Sequence, residues 1–522
     1  MVDASPPPSA PLMIFAIFPI SEHDPHRHPK RWPFMSEVVE EIHSLYNLAF
    51  PMIITGLLLY GKAVVSMLFM GRLGKDDLAG GSLAIGFANI SGYSVLSGLA
   101  MGMEAISSQA YGAEQWSLMG QTLRRTILIL LAACIPIAAL WLNVHPILLH
   151  CGQDHAIAAI ASTYLAFSLP TLFIQSFLNP LKIYFRAQNI TMPLMAGAAT
   201  ALILHAPINY LLVCSMGLGI RGVALAAAFT DCNLLAGLLI YLNFSGLYSK
   251  SCGDWSLECF YEWKPLLNLA IPSCISVCLE WWWYELMVVF SGLLANASDA
   301  IAAMGILIQT TSLVYIFPSA LSLAVSTRVG NELGANRPNK ARLSMHVALF
   351  CAFFTGFVAM VFTATLRDVW GRAFTTDKAI ISLTATAMPI VGLCELGNCP
   401  QTTGCGVLRG SARPSLGANI NLGSFYGVGM PIAMAMGFVM NWGLMGLWLG
   451  LLAAQGTCAL VMIVLLLRTD WELQAKRAQE LMGGSGEGCK GNIEDGNESP
   501  SYKMIDAEDV EILLPFKVVQ SN

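Results

Sequence analysis

Charged residues are scarce along this chain. Asp, Glu, Lys and Arg together make up 12% of the 522 residues, whereas 55% are hydrophobic. Soluble domains carry about twice that charged fraction. The low charge therefore argues against a water-soluble protein. The net charge of −5 contributes little further, since much of the acid lies near the carboxyl terminus.

Motifs for nucleotide or metal chemistry are also absent. No GxxxxGK[ST] loop occurs, which argues against ATP hydrolysis by this chain and leaves an ion gradient as the energy source. Cys399 and Cys405 lack the CxxC partners of a zinc site, so we expect no metal. Most of the 14 cysteines lie in apolar stretches, where they pack as small hydrophobic residues. We expect no cofactor.

Apolar stretches fill the chain between Glu37 and Arg468. A membrane-spanning helix needs about 20 mainly apolar residues. Twelve stretches meet this requirement: Leu45–Met70, Leu83–Ser107, Leu123–Val144, Ile157–Phe177, Met192–Ser215, Val223–Phe244, Leu266–Leu294, Ile301–Val325, Leu343–Leu366, Ile380–Pro400, Ala418–Met440 and Leu444–Leu467. The predicted fold is an all-α polytopic membrane protein with about 12 transmembrane helices. No soluble catalytic domain is left over, so we expect no enzyme.

The second half of the chain repeats the first. Leu48–Pro51 (LAFP) opens the first span and Leu269–Pro272 (LAIP) opens the seventh, 221 residues later. The second and eighth spans end at similar loops, Gln109–Ala113 and Asn331–Ala335, which are 222 residues apart. Because six spans precede the restart, both halves have the same orientation in the membrane. Such repeats mark many secondary transporters, whose ligand site lies between the halves near the midplane.

The repeat defines the predicted domains. Residues 37–248 form an N-lobe of six spans, and residues 249–482 form a C-lobe of six spans that begins with the inter-lobe linker. Residues 1–36 and 483–522 are polar or rich in proline and histidine, and we predict that both are disordered cytosolic segments.

Lys and Arg residues predict the orientation. If the amino terminus is cytosolic, most bases fall on the cytosolic side, and the outside loops hold few: Arg72, Lys75, Arg221, Arg367, Arg372 and Lys378. Basic residues concentrate on the cytosolic side of membrane proteins, so we predict that both termini are cytosolic. Arg124, Arg125, Arg409 and Arg413 lie in inside loops and are interpreted as topology anchors.

Two carboxylic acids stand within the seventh span. Glu280 is about halfway along Leu266–Leu294, and Glu285 follows five residues later, on an adjoining helix face. A charge at bilayer depth costs several kcal/mol unless it is paired, protonated or faces a cavity. Glu280 is therefore predicted to exchange protons, with a structural carboxyl as the alternative. Glu285 is a further candidate for proton coupling, and it either shares a hydrogen-bond network with Glu280 or pairs with a base. Trp283 and Tyr284 share the face of Glu280 and are candidate ligand contacts, with interhelical packing as the alternative.

A third buried acid, Glu395, lies in the tenth span. Its surroundings contain Pro389, Gly392, Gly397 and Pro400, which favour a kinked or broken helix. Irregular backbone at membrane depth is tolerated where it lines a cavity. Glu395 is therefore the second predicted proton-exchange residue, with a structural carboxyl as the alternative.

The N-lobe is poorer in acids. No Asp or Glu occurs from Ile42 to Gly74, and Lys62 stands in mid-span instead. It can snorkel, pair with a carboxylate or repel cations, and the sequence does not select among these. Asp231 and Asn209 are intramembrane polar residues that either contact the ligand or bond neighbouring helices.

Several motifs together resemble the multidrug and toxic compound extrusion (MATE) family, in particular its plant, DETOXIFICATION-type branch. They are Cys278–Glu285 (CLEWWWYE), Gly102–Glu104, Ser108–Gly112, Tyr184–Thr191, Pro207–Tyr210 and Gly406–Ser411 (GVLRGS). The resemblance covers about Glu37 to Leu481. It implies a V-shaped pair of helical bundles that exports organic solutes in exchange for protons, or for sodium in some bacterial branches. It also implies a proton-exchange role for Glu280 and an acid at the position of Glu395. Some bacterial relatives have an aspartate in the first helix, and this chain has none.

The leading functional prediction is a proton-coupled antiporter that exports an organic cation or an amphiphilic metabolite, hormone or xenobiotic by alternating access. A channel or membrane sensor, or a lipid-linked sugar flippase, is the alternative. Expected partners are the solute, protons and lipid, without nucleic acid, and the chain is expected to be monomeric. The host membrane is predicted to be the plasma membrane or a vacuolar, Golgi or late endosomal membrane.

Overall fold

The computed structural model describes residues 35–247 and 263–483. Within these ranges the structure consists of helices and short connections. The predicted terminal segments and the start of the inter-lobe linker lie almost entirely outside the described residues.

Twelve helices are long and apolar enough to span a membrane, as the sequence predicts. They are α1 (Met35–Leu73), α2 (Lys75–Gly112), α3 (Trp116–Leu142), α4 (His155–Ala187), α5 (Met192–Ser215), α6 (Ile220–Phe244), α7 (Lys264–Ser291), α8 (Ala297–Gly334), α9 (Pro338–Ala373), α10 (Lys378–Gly410), α11 (Pro414–Val439) and α12 (Leu444–Leu467). A thirteenth helix, α13 (Trp471–Gly483), follows the last span. Most are longer than their apolar stretches, because the hydrogen-bonded helix continues into polar residues at both ends.

The internal repeat is visible in the backbone. Residues with positive φ recur at equivalent turns in the two lobes, 222 to 224 positions apart. The matched pairs are Glu114 and Asn336, Asn189 and Ala412, Gly217 and Asn441, and Gly219 and Gly443. A residue with positive φ interrupts the helical backbone, so helices are bounded at equivalent positions in both halves. Helices α1–α6 and α7–α12 are therefore two copies of one six-helix frame.

Helices α1 and α2 of the N-lobe pack against α7, α8 and α9 of the C-lobe. Glycines bring the backbones together: a Cβ atom at Gly98 or Gly102 of α2 would collide with the backbone of Cys274 or Ala270 of α7. Replacing either glycine with alanine would therefore push the two helices apart.

We call the end of the bundle at which α1 begins and α12 ends the terminal face. There, a Cβ atom at Gly112 (α2) would collide with the carbonyl of Asn331 (α8), and one at Gly334 (α8) would collide with the carbonyl of Gln109 (α2). This reciprocal glycine contact closes the terminal face between the lobes. Helix α13 packs across it and touches α2, α8 and α9.

Candidate functional site: two charged lobe interiors and the lock between them

Glu395 is fully buried in the C-lobe interior. Asn398, one turn later on α10, donates its Nδ2 to Glu395 Oε2 at 2.9 Å. Glu395 Oε1 is buried and has no hydrogen-bond partner among the described residues. Of the two predicted irregularities, a kink or a break, the break does not occur, because α10 is continuous from Lys378 to Gly410. Its glycines instead allow close packing: a Cβ atom at Gly397 would press on the backbone of Gln455 on α12.

Glu280 lies on α7, about 24 Å along the helix from its start. The Tyr315 hydroxyl of α8 faces its carboxylate, and the charges of Arg409 and Glu395 act on it. Nearby, Gln455 Nε2 is 3.4 Å from the Tyr284 hydroxyl, a weak contact between α12 and α7. The two predicted proton-exchange residues thus share one lobe interior.

Glu285 is placed differently from Glu280. It lies against Gly86 of α2, in the interface between the lobes. No described residue forms a hydrogen bond or ion pair with it, so the expectation that it joins the Glu280 network or pairs with a base is not met in the structure. The angular separation of the two acids on α7 accounts for this divergence.

The tryptophans of α7 lie in two different environments. Trp283, a candidate ligand contact, is 1% exposed and packs edge-on against Phe425 with ring centroids 5.6 Å apart. Trp281 and Trp282 are partly exposed, and Trp282 donates its Nε1 to the carbonyl of Ile90 on α2 at 3.1 Å. Interhelical packing is thus the observed environment of Trp283, whereas Tyr284 faces the C-lobe interior.

The N-lobe interior contains an ion pair. Lys62 of α1 donates to Asp231 Oδ1 of α6, and Gln175 of α4 donates its Nε2 to Asp231 Oδ2 at 3.0 Å. Lys62 therefore pairs with a carboxylate, which selects one of the three options that the sequence leaves open. Asp231 is 3% exposed and has both oxygens occupied.

A second polar network lies beside this pair. His205 on α5 is fully buried between Ser66 Oγ at 2.9 Å and Thr230 Oγ1 at 2.7 Å. Asn209 donates its Nδ2 to the His205 carbonyl one turn earlier, at 2.9 Å. Asn209 thus connects α5 internally, while its Oδ1 is buried without a partner among the described residues.

An ion-pair cluster joins the lobes near the terminal face. Glu104 of α2 is 1% exposed and accepts from two arginines: Arg186 Nη2 of α4 at 2.7 Å and Arg409 Nε of α10 at 3.1 Å. Arg186 and Arg409 are equivalent positions of the repeat, 223 residues apart. Arg409 also donates to Ser322 Oγ of α8 at 2.9 Å. We call Glu104, Arg186 and Arg409 the central lock.

A peripheral lock lies at the start of α1. Arg328 of α8 binds Glu41 with two hydrogen bonds, at 3.1 and 2.7 Å, and Ser344 of α9 donates to the same carboxylate at 2.6 Å. The prediction that Arg409 lies in a loop is wrong, because Arg409 lies in the last turn of α10. Its guanidinium is largely buried between the lobes because Glu104 supplies a buried counter-charge, which sequence position alone does not reveal.

Sequence reasoning also missed a polar stripe on α4. Gln175, Asn179, Lys182 and Arg186 follow one another at intervals of four, three and four residues, so they share one helix face. The sequence signal for these polar residues is their i, i+4, i+7, i+11 spacing within an apolar span. Glu104 and Tyr315 carried no comparable pattern.

The sequence of both lobes matches a known protein family. A model of the MatE family matches residues 51–211 and 272–435, one segment in each lobe. Together these segments cover more than half of the chain. The chain belongs to the MatE family.

Relatives support this MatE assignment over nearly the whole length. Protein DETOXIFICATION 48 of Arabidopsis thaliana is 58% identical over 452 residues, which cover 87% of this chain and 85% of that protein. Protein DETOXIFICATION 49 of the same plant is 53% identical over 506 residues, covering 97% and 99%. The crystal structure of the eukaryotic MATE transporter AtDTX14 matches with a TM-score of 0.82 at 31% identity, covering 85% of this chain and 99% of that one.

The predicted family and fold are thus confirmed. The protein is an integral, multi-pass membrane transporter of the MatE family and not an enzyme. A bacterial MATE transporter, VcmN of Vibrio cholerae, shares the fold with a TM-score of 0.76 at 18% identity. In this MatE chain, the C-lobe interior holds Glu280 and Glu395, whereas the N-lobe interior holds lysines and Asp231.

Proposed function

We propose that this protein is a proton-coupled antiporter that exports an organic solute by alternating access. The observation that carries the proposal is the placement of Glu280 and Glu395 in one lobe interior, where the charge of Arg409, a member of the central lock, acts on Glu280. Burial favours the neutral form of a carboxylic acid and nearby positive charge favours the ionised form. A group subject to both influences can bind and release a proton as its surroundings change.

Arg409 links that proton to the closed terminal face. It holds Glu104 at 3.1 Å while its charge also acts on Glu280. An ionised Glu280 competes with Glu104 for the guanidinium, because opposite charges attract strongly where water is scarce. A proton or a cationic solute that neutralises Glu280 removes this competition. Neutral Glu280 therefore stabilises the closed terminal face, and ionised Glu280 weakens it.

The C-lobe chemistry favours an organic cation or an amphiphile with a basic group. Two carboxyls supply the charge, and Tyr284 and Tyr315 supply aromatic faces on which a cation can rest. Energy comes from the proton gradient without ATP. The chain is proposed to work as a monomer, with its solute, protons and lipid as partners.

The distribution of bases supports cytosolic termini, so the terminal face is proposed to be the cytosolic face. We propose the plasma membrane or an endomembrane of the vacuole, Golgi or late endosome as its site. A protease-sensitive tag at either end tests the orientation: in intact cells or right-side-out vesicles, external protease should leave both tags uncut. Cleavage from outside overturns this part of the proposal.

A proteoliposome assay tests the transport proposal. The full chain is reconstituted, a pH gradient is imposed, and uptake is measured for a panel of labelled quaternary and aromatic amines. We expect saturable uptake of at least one amine that follows the gradient and stops when a protonophore collapses it. Uptake that ignores the gradient excludes proton coupling, and a flux that never saturates with solute indicates a channel.

A further inference from the structure

The charges of the N-lobe interior do not balance. Lys62 and Asp231 neutralise each other, and Arg186 is held by Glu104 in the central lock. Lys182 remains. Among the described residues, none forms an ion pair or hydrogen bond with its ammonium group.

Lys182 faces this interior rather than a loop. It lies two helical turns, about 10 Å, beyond Gln175 on the same face of α4, and Gln175 touches Asp231. The charges of Asp231, Lys62 and Arg186 all act on Lys182. Asp231 cannot serve it fully, because Asp231 already accepts from Lys62 and Gln175. A half-buried ammonium inside a bilayer-spanning lobe is costly without an anion.

The surroundings of Lys182 suit an organic anion. Asn179, half-buried between Gln175 and Lys182 on the polar stripe, offers an amide donor. A single lysine provides a compact point charge with three donors, which matches one carboxylate.

The equivalent positions of the C-lobe carry different side chains. The repeat places Cys405 at the position of Lys182 and Asn398 at the position of Gln175. The acidic groups Glu280 and Glu395 occupy the C-lobe interior instead. An anion entering between the lobes is therefore attracted to the N-lobe and repelled by the C-lobe.

We propose that the N-lobe interior is a subsite for the carboxylate of an organic acid, with Lys182 as the group that binds it and Asn179 and Gln175 as neighbouring donors. The inference rests on the proposed function in one respect: the bound acid is a transported solute, or the anionic part of one. Proton-exchange acids in one lobe and an anion subsite in the other allow the carrier to accept solutes of either charge.

Binding to the purified full chain in detergent tests the subsite without a pH gradient. Phenylacetate, 2-phenylethanol and phenethylamine share one ring and carry a negative, zero and positive charge. Titration of the thermal melting temperature gives an apparent Kd for each. We expect phenylacetate to bind the wild type at least about tenfold more tightly than 2-phenylethanol, because a charge-assisted contact replaces a neutral one.

Three variants assign the preference to Lys182. Lys182→Gln should abolish the preference for phenylacetate over 2-phenylethanol, and Lys182→Arg should retain most of it. Lys340→Gln, which removes an exposed lysine on the terminal face, should retain all of it. Lys182→Met serves as a second neutral variant if the glutamine variant fails to fold.

The proposal is wrong if the wild type binds phenylacetate no better than 2-phenylethanol, or if Lys182→Gln and Lys182→Met keep the preference. The comparison of phenylacetate with 2-phenylethanol on the wild type still tests the proposal if every Lys182 variant misfolds. Because no gradient is used, a failure of proton coupling in proteoliposomes leaves this result unaffected. An anion preference that depends on Lys182 likewise stands without proton coupling.

Discussion

The two lobes share a backbone and differ in charge. In the N-lobe, Lys62 of the first helix pairs with Asp231 of the sixth. In the C-lobe, the matching helices meet through Tyr284 and Gln455, a neutral contact, and Gln455 stands where the repeat predicts the counterpart of Asp231. The duplicated frame therefore fixes where helices meet but leaves the chemistry of each meeting point free.

The balance of charge differs as a result. The N-lobe acid is neutralised by an adjacent base, so its charge is fixed in place. Among the described residues, no base forms an ion pair with Glu280 or Glu395, and Arg409, the cation that acts on Glu280, is shared with Glu104. The C-lobe is therefore the lobe whose charge can change during transport.

The largest expected effect comes from Glu280→Gln. The amide keeps the shape of the side chain and most of its hydrogen bonding but cannot release a proton. Uptake driven by a pH gradient should fall to the level of empty liposomes, with the protein still folded and inserted. Asp368→Asn, an acid with 69% side-chain exposure at the opposite face, is the matched control and should transport normally. Normal uptake with unchanged pH dependence in Glu280→Gln would falsify the proton role.

Removing Glu395 should reveal that the two C-lobe acids act together. Interacting acids titrate as a set, so Glu395→Gln should slow transport and shift the pH midpoint that remains. The double variant should be no slower than the slower single variant. Uptake against pH is measured for the wild type, both single variants and the double variant. Additive losses in log rate with an unmoved midpoint would show two independent sites and contradict the comparison of lobes.

The N-lobe ion pair should matter for stability more than its C-lobe counterpart. Asp231→Asn leaves the largely buried Lys62 without its counter-ion, and removing one partner of a buried pair costs about 3–5 kcal/mol. Gln455→Leu removes only a weak neutral contact, worth about 1 kcal/mol. Thermal melting in detergent should rank the variants in this order. Lys62→Met combined with Asp231→Asn should recover most of the loss, and equal melting of the single variants would remove the distinction between the lobes.

The smallest effect on stability is expected from a substitution at the glycine contact between the lobes. Gly112→Ala places a methyl group against the Asn331 carbonyl, and such overpacking costs about 1–3 kcal/mol. It should lower the melting temperature and increase the labelling of a cysteine introduced at the terminal face. Gly237→Ala, on α6 with open space around it, should instead be neutral or stabilising by up to about 1 kcal/mol. Equal behaviour of both variants would show that the glycine crossing does not close this face.

The sequence predicted the number of helices, the repeat and the family, because apolar length and recurrent motifs are local properties. It also identified Glu280 and Glu395, since acids within apolar spans are conspicuous. It did not predict their neighbours. Lys62 and Asp231 are 169 positions apart, and Glu104 and Arg409 are 305 apart; which helices bring them together is decided by packing between spans. The same limitation explains why the sequence places Arg409 in a loop and leaves Trp283 open between ligand contact and interhelical packing.

Helix α13 has a practical consequence for measurement. Gln479 donates its Nε2 to the carbonyls of Leu333 and Gly334, the last residues of α8, at 3.3 and 3.0 Å. The helix is thus attached to the C-lobe while it also rests on α2 of the N-lobe. A fluorophore on the exposed side of α13 and another on an exposed residue of the N-lobe at the same face would form a distance gauge. Their energy transfer would report separation of the lobes during turnover, without any label inside the transport path.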